Sequence, residues 1–442
     1  MKFRKMLHRS AALLFAFFLT VTISLQAPFA KSAQAADTLG LAAKSAILVD
    51  YNTGDILYEK DADHVYPPAS MTKMMTEYLV MKALHDKKLT WNSKVSISDY
   101  AYTISQNRSF SNVPLRKDYQ YTVRELYEAM AIYSANGATI ALAEKIGGTE
   151  KHFVDMMNAT AKRIGMTESH YINSSGLDNV DLGKYAPYGT TNDSNELSAH
   201  DIARLAYHVI HDYPEALQIS KIPLKNFTAG VDTPIQMVNW DYMLPGFGAD
   251  MAKFTYPGVD GLKTGHTDAA GYCFTGTVDR DGHRLISVVM GTSSDDERFE
   301  QTKALFDYGY QQFALKTIAK KGQLIKGKTA IVHNGKQAQV KLAFGGTVTQ
   351  IVTNGEKSAA SYDIVLDRNK LNKDGSIEAP VKMGERVGYA VVKPANATLY
   401  PDAQKVPVIA ASEVDRSNWF VRLFHAIGGL FSGLFHWIAN LF

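Results

Sequence analysis

Strand signals at residues 45–60 and again at 259–290 enclose a long middle whose patterns are helical, and this spacing restricts the possible folds most. Ser45–Asp50 and Ile56–Lys60 flank the turn-forming Asn52-Thr53-Gly54, which predicts a hairpin. Val259–Thr264, Tyr272–Val278 and Arg284–Met290 are apolar or β-branched runs separated by Gly- and Asp-rich turns. Between them, Pro67-Pro68-Ala69 stops the extended chain, and Ser70 is placed to cap a helix running to about His85. Thr122-x-x-Glu125 is a capping box for a helix to about Tyr133, and another runs from Asn136 to Gly147-Gly148. Helical patterns also cover 150–164, 198–212 and 294–315. Strands at both ends with helices between predict an α/β (α+β) domain whose antiparallel sheet is built from both termini and flanked by helices.

The flanks read differently. Lys2, Arg4, Lys5 and Arg9, an apolar stretch from Ala11 to Leu25 and then Ala33-Gln34-Ala35 have the order of a secretory signal over residues 1–35. A retained membrane helix is the alternative. Residues 36–315 hold 25 Lys and Arg against 35 Asp and Glu, whereas 316–410 hold 15 against 7. That reversal argues for two domains with different neighbours, the basic one towards anionic lipid or wall polymer. Asn334-Gly335, Asn354-Gly355 and Asp374-Gly375 among short β-branched runs predict a small all-β domain over 316–410. In 411–442, Trp419, Leu423, Ala426, Leu430, Leu434, Trp437 and Leu441 follow helical spacing opposite Arg422, His425, His436 and Asn440. This amphipathic helix suits the plane of a membrane, at the outer face if the chain is exported. Spanning is disfavoured by Arg422 and the two histidines, and a core helix is the other reading. Cys273 is the single cysteine, so no intramolecular disulfide forms; it sits in an apolar run and reads as a small core residue.

Three short motifs carry the chemistry. Ser70-Met71-Thr72-Lys73 is the single S-x-x-K and Lys263-Thr264-Gly265 the single K-[ST]-G, with Ser105-Gln106-Asn107 or Ser134-Ala135-Asn136 as the middle S-x-N element. Each alone is weak, since a lone S-x-x-K is usually a helix cap followed by a solvated lysine. At a helix start, however, Lys73 projects from the same face as the Ser70 hydroxyl and can reach it. A serine needs an adjacent base to become a nucleophile, and a lysine serves only when its pKa falls towards neutrality. Burial, the helix dipole and a second cation such as Lys263 act in that direction. Ser134 and Asn136 sit in a tight connection between two well-signalled helices, which gives rigid support, whereas Ser105 lies in a polar, loop-like run. Lys263-Thr264-Gly265 falls on a strand edge that an extended peptide can join, with Gly265 clearing space for a second backbone.

The chain resembles class C low-molecular-mass penicillin-binding proteins, D-alanyl-D-alanine carboxypeptidases of the type-5 kind. The resemblance rests on the signal, residues 68–73 (Pro-Ala-Ser-Met-Thr-Lys), 133–138 (Tyr-Ser-Ala-Asn-Gly-Ala), 260–267 (Asp-Gly-Leu-Lys-Thr-Gly-His-Thr), the β-domain and the tail. Ala135 stands where many members carry glycine. It implies a β-lactamase/transpeptidase-like catalytic domain acting on peptidoglycan stem peptides ending in D-Ala-D-Ala, with β-lactams as inhibitors and no cofactor. Ser70 is then the acylated nucleophile, Lys73 its base and Ser134 a proton relay to the leaving D-alanine. Asn136 holds the substrate amide, Lys263 and Thr264 help bind the terminal carboxylate, and backbone N–H groups of Ser70 and His266 form the oxyanion hole. Arg298 binds the same carboxylate. Ser294-x-x-Glu297 places it in the first turn of a helix, where the cation opposes the dipole, although Asp295, Asp296, Glu297 and Glu300 offer it solvated ion pairs.

A β-lactamase of the same lineage is the nearest rival, but no E-x-x-L-N stretch supplies the deacylating glutamate of class A enzymes. An inactive membrane-anchored sensor or wall-binding scaffold is the other, opposed by the intact Ser, Lys, Asn and Lys set. His208-Val209-Ile210-His211 lacks a metal-site pattern, and no phosphate loop or nucleic-acid motif is present.

Overall fold

A computed structural model describes residues 38–356, 361–400 and 405–418, in two units: Met1–Gly40, described only from Thr38, and Leu41–Phe442. The expected signal (1–35) and the tail from residue 419 lie outside the described residues, among which no helix is long and apolar enough to cross a membrane.

Five strands form the main sheet: β1 (Ser45–Asp50), β2 (Ile56–Lys60), β3 (Val259–Thr267), β4 (Gly271–Arg280) and β5 (His283–Thr292). Their order is β2-β1-β5-β4-β3, all antiparallel, with Ile47 opposite Val288 and Gly265 opposite Cys273. The termini therefore meet at the centre, through the β1–β5 pairing, and β3 is left as an edge. Both faces are covered, which is why these strands read as continuous apolar runs. Ile47, Val49, Ile286, Val288 and Met290 join the core of the helical middle. Leu48 and Leu285 lie instead against Gly309 of the last helix, where a Cβ would come within 3.0 and 2.7 Å of them.

The helices of seven or more residues among the described residues are α1 (Lys73–His85), α2 (Asp99–Ser105), α3 (Val123–Tyr133), α4 (Asn136–Gly147), α5 (Glu150–Arg163), α6 (Ala199–Asp212) and α7 (Asp295–Gln312). Thr122 and Glu125 make the reciprocal capping box, and Ser198 caps α6 through Asp201 N–H. Two expectations are corrected. Ser70 does not cap α1: it lies within a 3-10 turn, Ala69–Thr72, because its hydroxyl is engaged by Lys73 instead of the backbone. The box predicted at Ser294 is half formed, since the Glu297 carboxylate accepts from Ser293, one residue earlier.

From Phe313 to Ala410 the described residues form strands, interrupted by one 3-10 turn at Arg368–Lys370. A six-stranded sheet and a two-stranded one enclose a core that includes Val340, Leu342, Phe344, Val387 and Val408. This domain clasps the first hairpin. Asn396 N–H donates to the Asp55 carboxylate at 2.9 Å, Leu399 N–H to Gly54 O at 2.8 Å, and the Tyr400 ring stacks on Tyr207 of α6 at 3.8 Å.

Candidate active site

Two glycines from distant segments hold the turn that carries Ser70. Ala69 adopts φ 48°, and Gly176 (φ 81°) packs so closely that a Cβ there would lie 1.9 Å from Ala69 O. On the β3 side, a Cβ on Gly265 would meet Pro68 O at 2.5 Å and the Ser70 and Met71 nitrogens at 3.2 Å. No side chain fits either gap. Gly265→Ala should therefore push the Ser70 turn away from β3, costing about 1–3 kcal/mol of stability as an overpacked site does. Thermal unfolding and D-alanine release measured together check this: activity is expected to fall by more than the lost folded fraction.

Lys73 opens α1 with its amine fully buried. Nζ lies 2.8 Å from Ser70 Oγ, 2.7 Å from Asn136 Oδ1 and 2.7 Å from the carbonyl of Ser175. The Ser175 carbonyl can only accept. Asn136 Nδ2 donates to Ser111 O at 3.1 Å, which turns Oδ1 towards the lysine as a second acceptor. A neutral amine has two N–H bonds and one lone pair. Both N–H bonds are claimed by obligate acceptors, so the lone pair is left facing the Ser70 hydroxyl. That is the geometry of a general base.

The other residues surround a cleft of about 400 Å³, large enough for a dipeptide end. Ser70, Ser134, Asn136, Thr264, Gly265, His266 and Arg298 line it, with Phe110, Leu177, Trp240, Tyr272 and Asp295. Ser134 ends α3 in the left-handed conformation (φ 59°), and its buried hydroxyl has no hydrogen-bond partner among the described residues. Lys263 is buried on β3 and donates to Thr264 O at 3.0 Å. The His266 ring lies 4.0 Å from that of Tyr272. Arg298 is 3% exposed, so it is no solvated surface cation. Ser105 is buried at the end of α2 with its hydroxyl on Tyr102 O, a departure from the loop-like reading of that run. Asn107 accepts from Ser109 N–H, and neither Ser105 nor Asn107 lines the cleft.

A profile described as D-alanyl-D-alanine carboxypeptidase (peptidase S11) matches residues 30–294. The chain belongs to this family. A second profile, the C-terminal domain of penicillin-binding protein 5, matches residues 313–416. D-alanyl-D-alanine carboxypeptidase DacF of Bacillus subtilis is 29% identical over 87% of this chain and 89% of its own length. The DacA enzyme of Haemophilus influenzae is 31% identical over 79% and 81%. Among solved structures, a peptidoglycan synthesis regulatory factor (PBP3) of Streptococcus pneumoniae superposes with a TM-score of 0.76 at 36% identity, covering 85% of this chain and 100% of that one. The fold is thus the penicillin-binding, transpeptidase-like one with a separate all-β C-terminal domain.

Within this member of the carboxypeptidase family, burial sets the electrostatics. It holds the Lys73 amine well below the usual lysine range, with the charge of Lys263 adding to the effect. Burial also lowers Lys263 to about 7, opposed by the charge of Glu77 and assisted by Arg298. Glu77, one turn beyond Lys73 on α1, is itself pushed up to about 7 by burial, and Tyr127 OH donates to it at 2.9 Å. The sequence reading missed this carboxyl, the Ser175 carbonyl and the aromatic walls Phe110 and Trp240. The Asn173-Ser174-Ser175-Gly176 turn carried a signal, since an Asn side chain two or three residues before a Gly builds such turns. Asn173 Oδ1 indeed accepts from both Ser175 and Gly176 N–H groups. Glu77 carried none, because a glutamate in a helix usually faces water.

Proposed function

We infer that the chain is a serine-type D-Ala-D-Ala carboxypeptidase that removes the terminal D-alanine from peptidoglycan stem peptides through an acyl-serine intermediate. The carrying observation is the Lys73 amine, 2.8 Å from Ser70 Oγ with its other two contacts both acceptors. Ser70 Oγ attacks the carbonyl between the two D-alanines while its proton passes to Lys73 Nζ. The oxyanion takes the backbone N–H groups of Ser70 and His266, a contribution commonly of about 3–4 kcal/mol. The C–N bond then breaks as Ser134 hands its proton to the leaving amine and takes up the one held by Lys73; the Ser134 hydroxyl has no hydrogen-bond partner among the described residues. Asn136 holds the substrate amide, while Lys263, Thr264 and Arg298 receive the terminal carboxylate. Water next hydrolyses the ester and restores Ser70. Extended substrate adds beside β3, the edge strand, where backbone groups are open to pairing.

The test is direct. Purified protein should release D-alanine from a peptide ending in D-Ala-D-Ala and none from the same peptide ending in L-Ala-L-Ala. Folded protein that releases neither would overturn the reading. β-Lactams, whose strained amide presents the same carbonyl and carboxylate, should acylate Ser70.

We propose that this chemistry takes place at the outer face of the cytoplasmic membrane, with residues 419–442 lying on the lipid as an amphipathic anchor; residues 411–418, which the sequence assigned to that helix, belong to the β-domain instead, where Val414 is buried and pairs with Val381. Protein truncated after residue 418 should stop floating with anionic vesicles while keeping its activity on a soluble peptide. Equal flotation of both forms would remove the anchor role.

A further inference from the structure

We propose that Asp295 is a resident counter-ion of Arg298, which the terminal carboxylate of a ligand must share or displace, and that it limits how strongly the site takes carboxylate-ended ligands. The proposal rests on the carboxylate-binding role of Arg298 given above. Asp295 and Arg298 both line the cleft, and the Asp295 carboxylate pairs with Arg298 Nη2 one turn along α7.

The neighbouring acids do not act this way. Asp296 pairs with Lys253 at 2.6 Å and Glu297 accepts from Ser293. Of the three acids in this first turn, Asp295 is the one on the cleft. The rest of the guanidinium is poorly served. Nη1 has only a long contact, 3.4 Å, to Gly265 O, and the buried Nε has no hydrogen-bond partner among the described residues. A buried guanidinium with spare donors is a carboxylate receptor, since two adjacent N–H bonds match two oxygens. Here one of its arms is already taken by an anion of the same chain. An incoming carboxylate therefore meets a like charge on the same cation. The Asp295 side chain is 36% exposed, so it can turn out into water when displaced, whereas the Arg298 side chain, 3% exposed, stays.

The experiment compares Asp295→Asn, Asp295→Glu and the unmodified protein on two peptides, one ending in D-Ala-D-Ala and one with that end blocked as the amide. Removing one like charge at a partly screened position should raise kcat/KM for the free-carboxylate peptide about tenfold. The amide should be turned over as before, and Asp295→Glu should stay near the starting value. Acylation by a penicillin, which also carries a carboxylate, should quicken in Asp295→Asn by a similar factor. A free-carboxylate rate that is unchanged or lower, or an equal rise on both peptides, overturns the proposal. Arg298→Gln separates the two layers. Should it leave the preference for carboxylate over amide intact, the role of Arg298 itself fails. Should it abolish that preference while Asp295→Asn changes nothing, Asp295 alone is excluded.

Discussion

Ser70→Ala protein should fold normally, release D-alanine at a rate lower by about 10⁴-fold or more, and take up no label from a fluorescent penicillin. The expectation follows from what the substitution removes. Ser70 sits on the cleft wall and its side chain makes one contact of note, the 2.8 Å bond to Lys73 Nζ. Loss of the hydroxyl leaves the turn braced by Gly176 and Gly265 through backbone contacts that involve no atom of the serine side chain. The covalent step, however, has no other oxygen in place. Ser134 is the nearest alternative by type, but it ends a different helix and Lys73 makes no bond to it. Labelled penicillin visible on a denaturing gel in Ser70→Ala protein would place the nucleophile elsewhere. Matching unfolding temperatures for the two proteins exclude misfolding as the cause of lost activity.

Lys73→Arg should be nearly as damaging, with acylation slower by roughly 10³- to 10⁴-fold. Arginine retains the positive charge and the N–H donors for Asn136 and Ser175, so a lysine acting as a fixed cation would be replaced with little loss. Arginine cannot give up its proton, so a lysine acting as the base cannot be replaced. Lys73→Met, closer in volume to the buried side chain, controls for overpacking and should fall as far. Acylation within tenfold of the unmodified rate in Lys73→Arg would defeat the base assignment. The pH profile carries the same information. Only unprotonated Lys73 accepts the serine proton, so acylation rises with pH through its pKa. Burial and then Lys263 hold that pKa well below 10.5, which places the rise well below the usual lysine range. Replacing Lys263 by Gln removes the neighbouring cation, raises the Lys73 pKa and moves the ascending limb to higher pH, besides weakening substrate binding. An unmoved limb would mean that burial alone tunes the amine.

Much of this molecule is legible in its sequence. The hairpin at Ser45–Lys60 appeared in its exact span, and the helices ending at Tyr133, Gly147 and Asp212 stop where their sequence signals predict. Caps, turns and periodic apolar faces are local physics, written within a few residues of where they act. The order of Ser-x-x-Lys, Ser-x-Asn and Lys-Thr-Gly likewise pointed to one cluster, and the fold brings Ser70 and Asn136 within hydrogen-bond distance of the Lys73 amine. Ser70 as a cap was one local rule that failed, and it failed where a tertiary contact competed for the same hydroxyl.

The tertiary structure alone decided the protonation chemistry. Whether a lysine is a base or a spectator depends on what surrounds its amine, and here that is Asn136, the Ser175 carbonyl 102 positions away, and Lys263 from the far end of the sheet. The same holds for Glu77, buried where its charge acts on Lys263, and for Asp295, the one of three adjacent acids that meets the buried guanidinium. Sequence fixes which groups are able to ionise. Their charge in the folded state is set by desolvation and by neighbours that only folding brings together, and these act through space over a few ångströms with no regard to distance along the chain.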